Sequence, residues 1–151
     1  MAGYSCTSTN PTQRALKNKK LLNGTITLKS DNSTDGGRLS YHDVPFSVTN
    51  NMANPYVQGT VYFNFNGFST HPTILVLDDA EFNSWVGRNE TVPIYDSWNV
   101  SITVKLPMPG AYHLVFYNQA ELIPGNPEGS GPLYASSPVK ITANVNLYWS
   151  Q

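Results

Sequence analysis

Val139-Lys140-Ile141-Thr142-Ala143-Asn144-Val145-Asn146-Leu147-Tyr148-Trp149 alternates apolar and polar residues from end to end, apart from the aromatic pair that closes it. Successive side chains of an extended strand point to opposite faces. Period two therefore puts Val139, Ile141, Ala143, Val145, Leu147 and Trp149 on a dry face. Lys140, Thr142, Asn144, Asn146 and Tyr148 fall on a wet one. The same pattern recurs upstream. Leu22, Gly24, Ile26 and Leu28 oppose Asn23, Thr25, Thr27 and Lys29; Val57, Gly59, Val61, Phe63 and Phe65 oppose Gln58, Thr60, Tyr62 and Asn64; Val100, Ile102, Val104 and Leu106 oppose Asn99, Ser101, Thr103 and Lys105.

Three further segments vary the theme. Ile74-Leu75-Val76-Leu77 is apolar throughout, as a central strand covered on both sides requires. Tyr112 to Tyr117 is apolar on one face and aromatic or amphipathic on the other, which places His113 and Tyr117 on a wet face. Val44, Phe46 and Val48 form another strand, where Pro45 indicates an edge or a bulge. The eleven prolines and eleven glycines fall mostly between these runs. Seven or eight short antiparallel strands make an all-β fold, a β-sandwich of jelly-roll or immunoglobulin-like type. One helical turn near 79–86 interrupts it. Asp78 and Glu81 have capping-box spacing, Phe82 and Trp85 share a face, and Gly87 ends the turn. Residues 1–20 read as an N-terminal arm, helical or extended between Pro11 and Lys20, and residues 21–151 as the sandwich domain.

The chain has 151 residues, a length that suits one domain with its own core. Charged residues make up 13% and apolar residues 40%, a balance opposite to that of a disordered chain. Nine Lys+Arg against ten Asp+Glu leave a net charge of −1, so no global field draws in nucleic acid or an anionic membrane. No apolar run approaches the length of a membrane span, and the N-terminus has no signal-peptide core. The polar residues are instead Asn, Ser, Thr and Tyr, with sixteen Asn, a composition suited to an extracellular or particle surface.

Catalytic chemistry is sparsely supplied. His42, His71 and His113 lie on separate segments without metal-ligand spacing, and Cys6 is the sole cysteine, which leaves at most an intermolecular bridge. No nucleophile elbow or phosphate-binding loop is present, so no cofactor is expected. Asp78, Asp79 and Glu81 could serve as glycosidase carboxylates or calcium ligands, or simply cap and charge the helical turn. Four sequons, at Asn23, Asn32, Asn89 and Asn99, are candidate glycan acceptors. Tyr62, Trp98, Tyr117 and Tyr148, with Tyr134 in the long loop, are candidate contact aromatics, because Tyr and Trp anchor interfaces and stack on sugars.

Two stretches carry a family likeness: Ile74-Leu75-Val76-Leu77-Asp78-Asp79-Ala80-Glu81-Phe82-Asn83-Ser84-Trp85-Val86-Gly87, and Leu106-Pro107-Met108-Pro109-Gly110-Ala111-Tyr112-His113-Leu114-Val115-Phe116-Tyr117-Asn118. With the closing strand they resemble small secreted β-sandwich proteins of archaea and bacteria related to the GOLD (Golgi-dynamics) domain. In those proteins a strand ends in Asp before a short E/N-F-x-x-W helix, and a proline–glycine turn precedes a Tyr-rich strand. The likeness covers residues 22–149 and implies a non-enzymatic module that binds or assembles outside the cytoplasm. The chain departs from it in lacking a signal peptide and an anchor. The expectation is an extracellular structural or adhesive subunit of a filament, appendage or virion exterior. It would associate with itself or with other surface proteins through its edges or arm. The alternative is a soluble binding module for a sugar, peptide or lipid head group.

Overall fold

The computed structural model describes residues 14–29, 40–65, 71–87, 89–97, 100–119, 121–122, 134–135 and 138–151. Cys6, Asn32, Trp98 and Asn99 lie outside the described residues, as does most of the loop between 119 and 138; of Tyr134 only the strand placement is described.

One antiparallel sheet runs β1 (Leu16–Leu28), β10 (Val139–Ser150), β3 (Ala53–Phe65), β6 (Ser101–Lys105). The other runs β2 (Tyr41–Val48), β7 (Gly110–Gln119), β4 (His71–Asp78), β5 (Tyr95–Ser97). A separate ribbon joins β8 (Glu121–Leu122) to β9 (Tyr134–Ala135). The all-β sandwich read from the alternation is the fold. Ten strands are present among the described residues, eight of them in the two sheets. The first strand begins at Leu16, so of the two alternatives for the arm Leu16 to Lys20 take the extended one, paired with β10.

Alternation decides which residues meet between the sheets. In β10, Val139, Ile141, Ala143, Val145 and Leu147 are buried while Lys140, Thr142 and Asn144 are exposed. These pack with Val57 and Val61 of β3 against Ile74, Val76, Leu114 and Phe116 of the facing sheet. Each of the Val, Leu, Ile and Phe side chains withdrawn from water contributes about 1.5–3 kcal/mol. Pro45 sits on β2, an edge strand, where its missing N–H costs no ladder bond. Tyr112 lies flat against Phe46 with ring centroids 5.7 Å apart, and its hydroxyl donates to the Met108 carbonyl at 2.6 Å, tying down the Pro107–Pro109 turn.

The facing sheet has a second, smaller core on its outer side. The helix α1 (Asp79–Val86) covers Leu75, Leu77 and Val115 with Trp85. This explains why β4 is apolar on both faces. It also corrects the reading of β7: His113 is buried rather than on the surface, and Tyr117 is half-buried against Trp85, with centroids 5.4 Å apart. Asp78 caps the helix by accepting the Glu81 N–H at 2.8 Å. The return half of the capping box is replaced: the Glu81 carboxylate accepts the Val92 N–H at 2.9 Å and so ties the following loop to the helix. Gly87 closes the helix with φ −73°, its N–H donating to Asn83 O, so its left-handed freedom is not used.

Candidate functional site

The outer face of the β1-β10-β3-β6 sheet carries the polar half of every alternating strand. Cross-strand register sorts it into rungs. Asn23, Asn144, Thr60 and Ser101 form one, and Thr25, Thr142 and Tyr62 form the next. Asn146, Gln58 and Thr103 follow on the other side, and then Tyr148, Tyr56 and Lys105. Lys20 flanks Asn146, and Lys105 and Lys140 stand in the outer rungs; the other described residues of these rungs are uncharged. Side chains of this face brace one another: Thr25 and Thr142 hydroxyls are 3.1 Å apart, Gln58 Nε2 donates to Thr103 Oγ1 at 3.3 Å, and Asn146 Nδ2 donates to Asn144 Oδ1 at 3.3 Å. Tyr56 and Tyr148 stack at 5.2 Å with ring planes 15° apart.

Two depressions flank that tyrosine pair. One, of about 290 Å³, is lined by Gln58, Gly59, Thr60, Ser101, Thr103, Asn144, Asn146 and Tyr148 together with Ile102. The other, of about 430 Å³ and more apolar, lies among Asn54, Pro55, Tyr56, Thr103, Lys105, Leu106 and Ser150. Gly59 of β3 lies opposite Val145 of β10 and has no room for a side chain. A Cβ there would lie 2.1 Å from the Asn144 carbonyl oxygen and 2.6 Å from the Val145 Cα. Asn54 adopts φ 50° at the start of β3, a conformation Asn tolerates better than most residues.

Of the residues singled out in the sequence, Tyr62 and Tyr148 lie on this face, Tyr62 with 59% of its surface exposed. Asn23 is exposed there beside Asn144, and Asn89 is exposed beyond α1. Tyr117 is on the other sheet. Tyr56, Gln58 and Thr103 were not singled out. Their signal was the polar parity of β3 and β6, which acquires meaning only when those strands are paired with β10.

No family model, curated protein or solved structure matches the chain. The site must therefore be read from its own chemistry.

The acidic cluster is structurally employed. Asp78 caps α1, Glu81 holds Val92, and Asp79 reaches His113. The His113 ring lies flat under Phe82, centroids 3.9 Å apart and planes within 5°. Its Nδ1 meets both carboxylate oxygens of Asp43 at 2.9 and 3.0 Å, and its Nε2 meets Asp79 Oδ1 at 3.2 Å. Either tautomer therefore has a carboxylate to donate to. The imidazole links the edge strand β2, the inner strand β7 and the helix. Among the described residues no group of three or more His, Cys, Asp or Glu is arranged to hold a metal ion. On β5, burial raises the pKa of Asp96 above the ordinary carboxylate value.

His113→Phe keeps the stack on Phe82 but leaves Asp43, only 23% exposed at its side chain, without its donor. The expected cost is about 1–3 kcal/mol in denaturant unfolding at neutral pH. A variant as stable as the parent would show that the ring's packing alone matters at this position.

Proposed function

We propose that the protein is a non-enzymatic structural or adhesive subunit acting outside the cell, in a surface filament, an appendage or a virion exterior. The observation that carries this reading is the edge formed by β1. It is thirteen residues long and, among the described residues, ends its sheet, whereas β6 has five residues, β5 has three and β2 contains Pro45. An exposed row of main-chain donors and acceptors is a template for strand addition. Lys17, Lys19 and Lys20 charge its first half, while Leu22 to Leu28 carry no charge. A second copy pairing with the neutral half avoids like-charge contacts, so the lysines act to set the register.

The strand order supports a jelly-roll reading. Successive strands alternate between sheets except across α1, and the first and last strands of the two sheets, β1 and β10, lie side by side. Jelly rolls recur in viral capsid and lectin domains, which is support by architecture alone. The likeness to secreted GOLD-related proteins and the exposed sequon at Asn23 point the same way. A second reading, a soluble extracellular binding module, is favoured by the two depressions beside Tyr56 and Tyr148.

Native mass spectrometry of source-purified protein tests the assembly. Multimers carrying added hexose mass are expected, and Thr27→Lys, which extends the charge along the edge, should shift them to monomer. A bare monomer at all concentrations overturns the reading.

A further inference from the structure

We propose that the outer face of the β1-β10-β3-β6 sheet binds a neutral oligosaccharide, laid along the two depressions with the Tyr56–Tyr148 pair between them. The inference rests on the binding-module reading and is independent of assembly.

Charge selects the ligand class first. Among the described residues the first depression is lined by amides, hydroxyls and a phenol, with no carboxylate or ammonium, and the second carries a single ammonium, that of Lys105. In the first depression an anionic or cationic ligand would lose hydration without gaining a counter-charge, and one lysine does not neutralise a chain of acidic sugars that crosses both. A neutral polyol loses only hydrogen bonds to water, and these lining groups can replace them. An amide offers two donors and an acceptor with two lone pairs. Gln58 commits one donor to Thr103 and Asn146 commits one to Asn144. Both amides line the first depression, and these mutual bonds hold the side chains in place before a ligand arrives.

Shape and aromaticity then narrow the class. A pyranose has polar edges and a C–H face, and it needs an aromatic surface beside its hydrogen-bond partners. Tyr148 borders the first depression and Tyr56 the second, and their stack fixes both rings. Thr103 lines both depressions, so they adjoin at that residue. The first alone, at about 290 Å³, is at the small end of ligand sites, which run from roughly 300 to 1,000 Å³. A chain of sugars crossing the tyrosines uses both. Leu106 and Pro55 in the second offer apolar contact for a further sugar face.

The test is ligand-observed NMR and calorimetry on the full chain with neutral cello-, xylo- and mannohexaose, a charged oligogalacturonide and an uncharged peptide. At least one neutral hexaose is expected to bind. Tyr148→Ala should weaken it by roughly tenfold, and Thr103→Val should weaken it with the fold intact. Tyr62→Ala, on the same face but outside both depressions, should leave it unchanged. If the oligogalacturonide or the peptide binds in a Tyr148-dependent way and no neutral hexaose does, the ligand class is overturned while the binding module stands. If nothing binds, or if Tyr148→Ala changes only the oligomeric state, the site itself is overturned.

Discussion

Gly59→Val is expected to cost about 3 kcal/mol or more of folding stability and to lower Tm by about 10 °C. By parity Gly59 belongs with Val57 and Val61, so on the alternation pattern alone a β-branched residue would be an improvement. The tertiary structure reverses that expectation. The Cβ would stand 2.1 Å from the Asn144 carbonyl oxygen and 2.6 Å from the Val145 Cα. Both obstacles are backbone atoms of β10, the strand paired with β1 on one side and β3 on the other. Relief requires prying β10 from β3, with loss of ladder hydrogen bonds and of the interdigitation beneath them. Urea denaturation of Gly59→Val beside Gly87→Ala measures this. At Gly87 φ is −73° and the nearest atom to an added Cβ is 3.2 Å away, so alanine there should change stability by less than about 1 kcal/mol. A Gly59→Val protein as stable as the parent would mean that β3 and β10 do not pair in this register.

Trp85→Ala is expected to cost about 3–5 kcal/mol, most of it confined to one layer. Trp85 is 3% exposed and is the only buried residue of α1. It meets Tyr41 at 5.1 Å and Tyr117 at 5.4 Å, both edge-on, over Leu75, Leu77 and Val115. An eight-residue helix has almost no stability of its own, so losing this anchor removes the reason for α1 to dock. The inter-sheet core is a separate cluster and does not include Trp85. Hydrogen exchange should therefore show amides of α1 losing protection while those of β10 and β3 keep theirs. Uniform loss of protection across both sheets would show that the two cores unfold as one unit.

These two residues mark where the sequence was and was not readable. Trp85 and Phe82 on one helical face, after a strand ending in Asp78, were visible as a capped helix with something to bury. What they bury was not visible, because His113 and Tyr117 look like wet-face residues until α1 is folded over β7. His113 in particular is retained inside by groups distant in sequence: Asp43, seventy positions away, and Asp79, thirty-four. No local pattern reports a hydrogen bond of that span. The sequence did place Tyr62 and Tyr148 on the polar faces of their strands, where Tyr62 is exposed and Tyr148 half-buried. It missed Tyr56, which becomes part of a site only through its stack on Tyr148. Asp78 and Glu81 were legible as a cap, but the loop partner of Glu81 was not, since Val92 lies beyond the end of the helix.

Period-two alternation by itself determined that this chain is all-β and which faces of β3, β6 and β10 are dry, and the unbroken apolar run of β4 determined that this strand is covered on both sides. Burial of apolar area depends on side-chain direction, and direction is fixed by position along a strand. Tertiary structure alone decided which strands are neighbours, and hence that four polar strand faces fuse into one surface with two depressions and no carboxylate in the lining described for either. Pairing joins residues far apart in the chain, and the hydrogen bonds that choose a partner are main-chain bonds nearly blind to sequence. That is why the same alternation that displayed the core so plainly left the surface beside Tyr148 unreadable until β10 lay between β1 and β3.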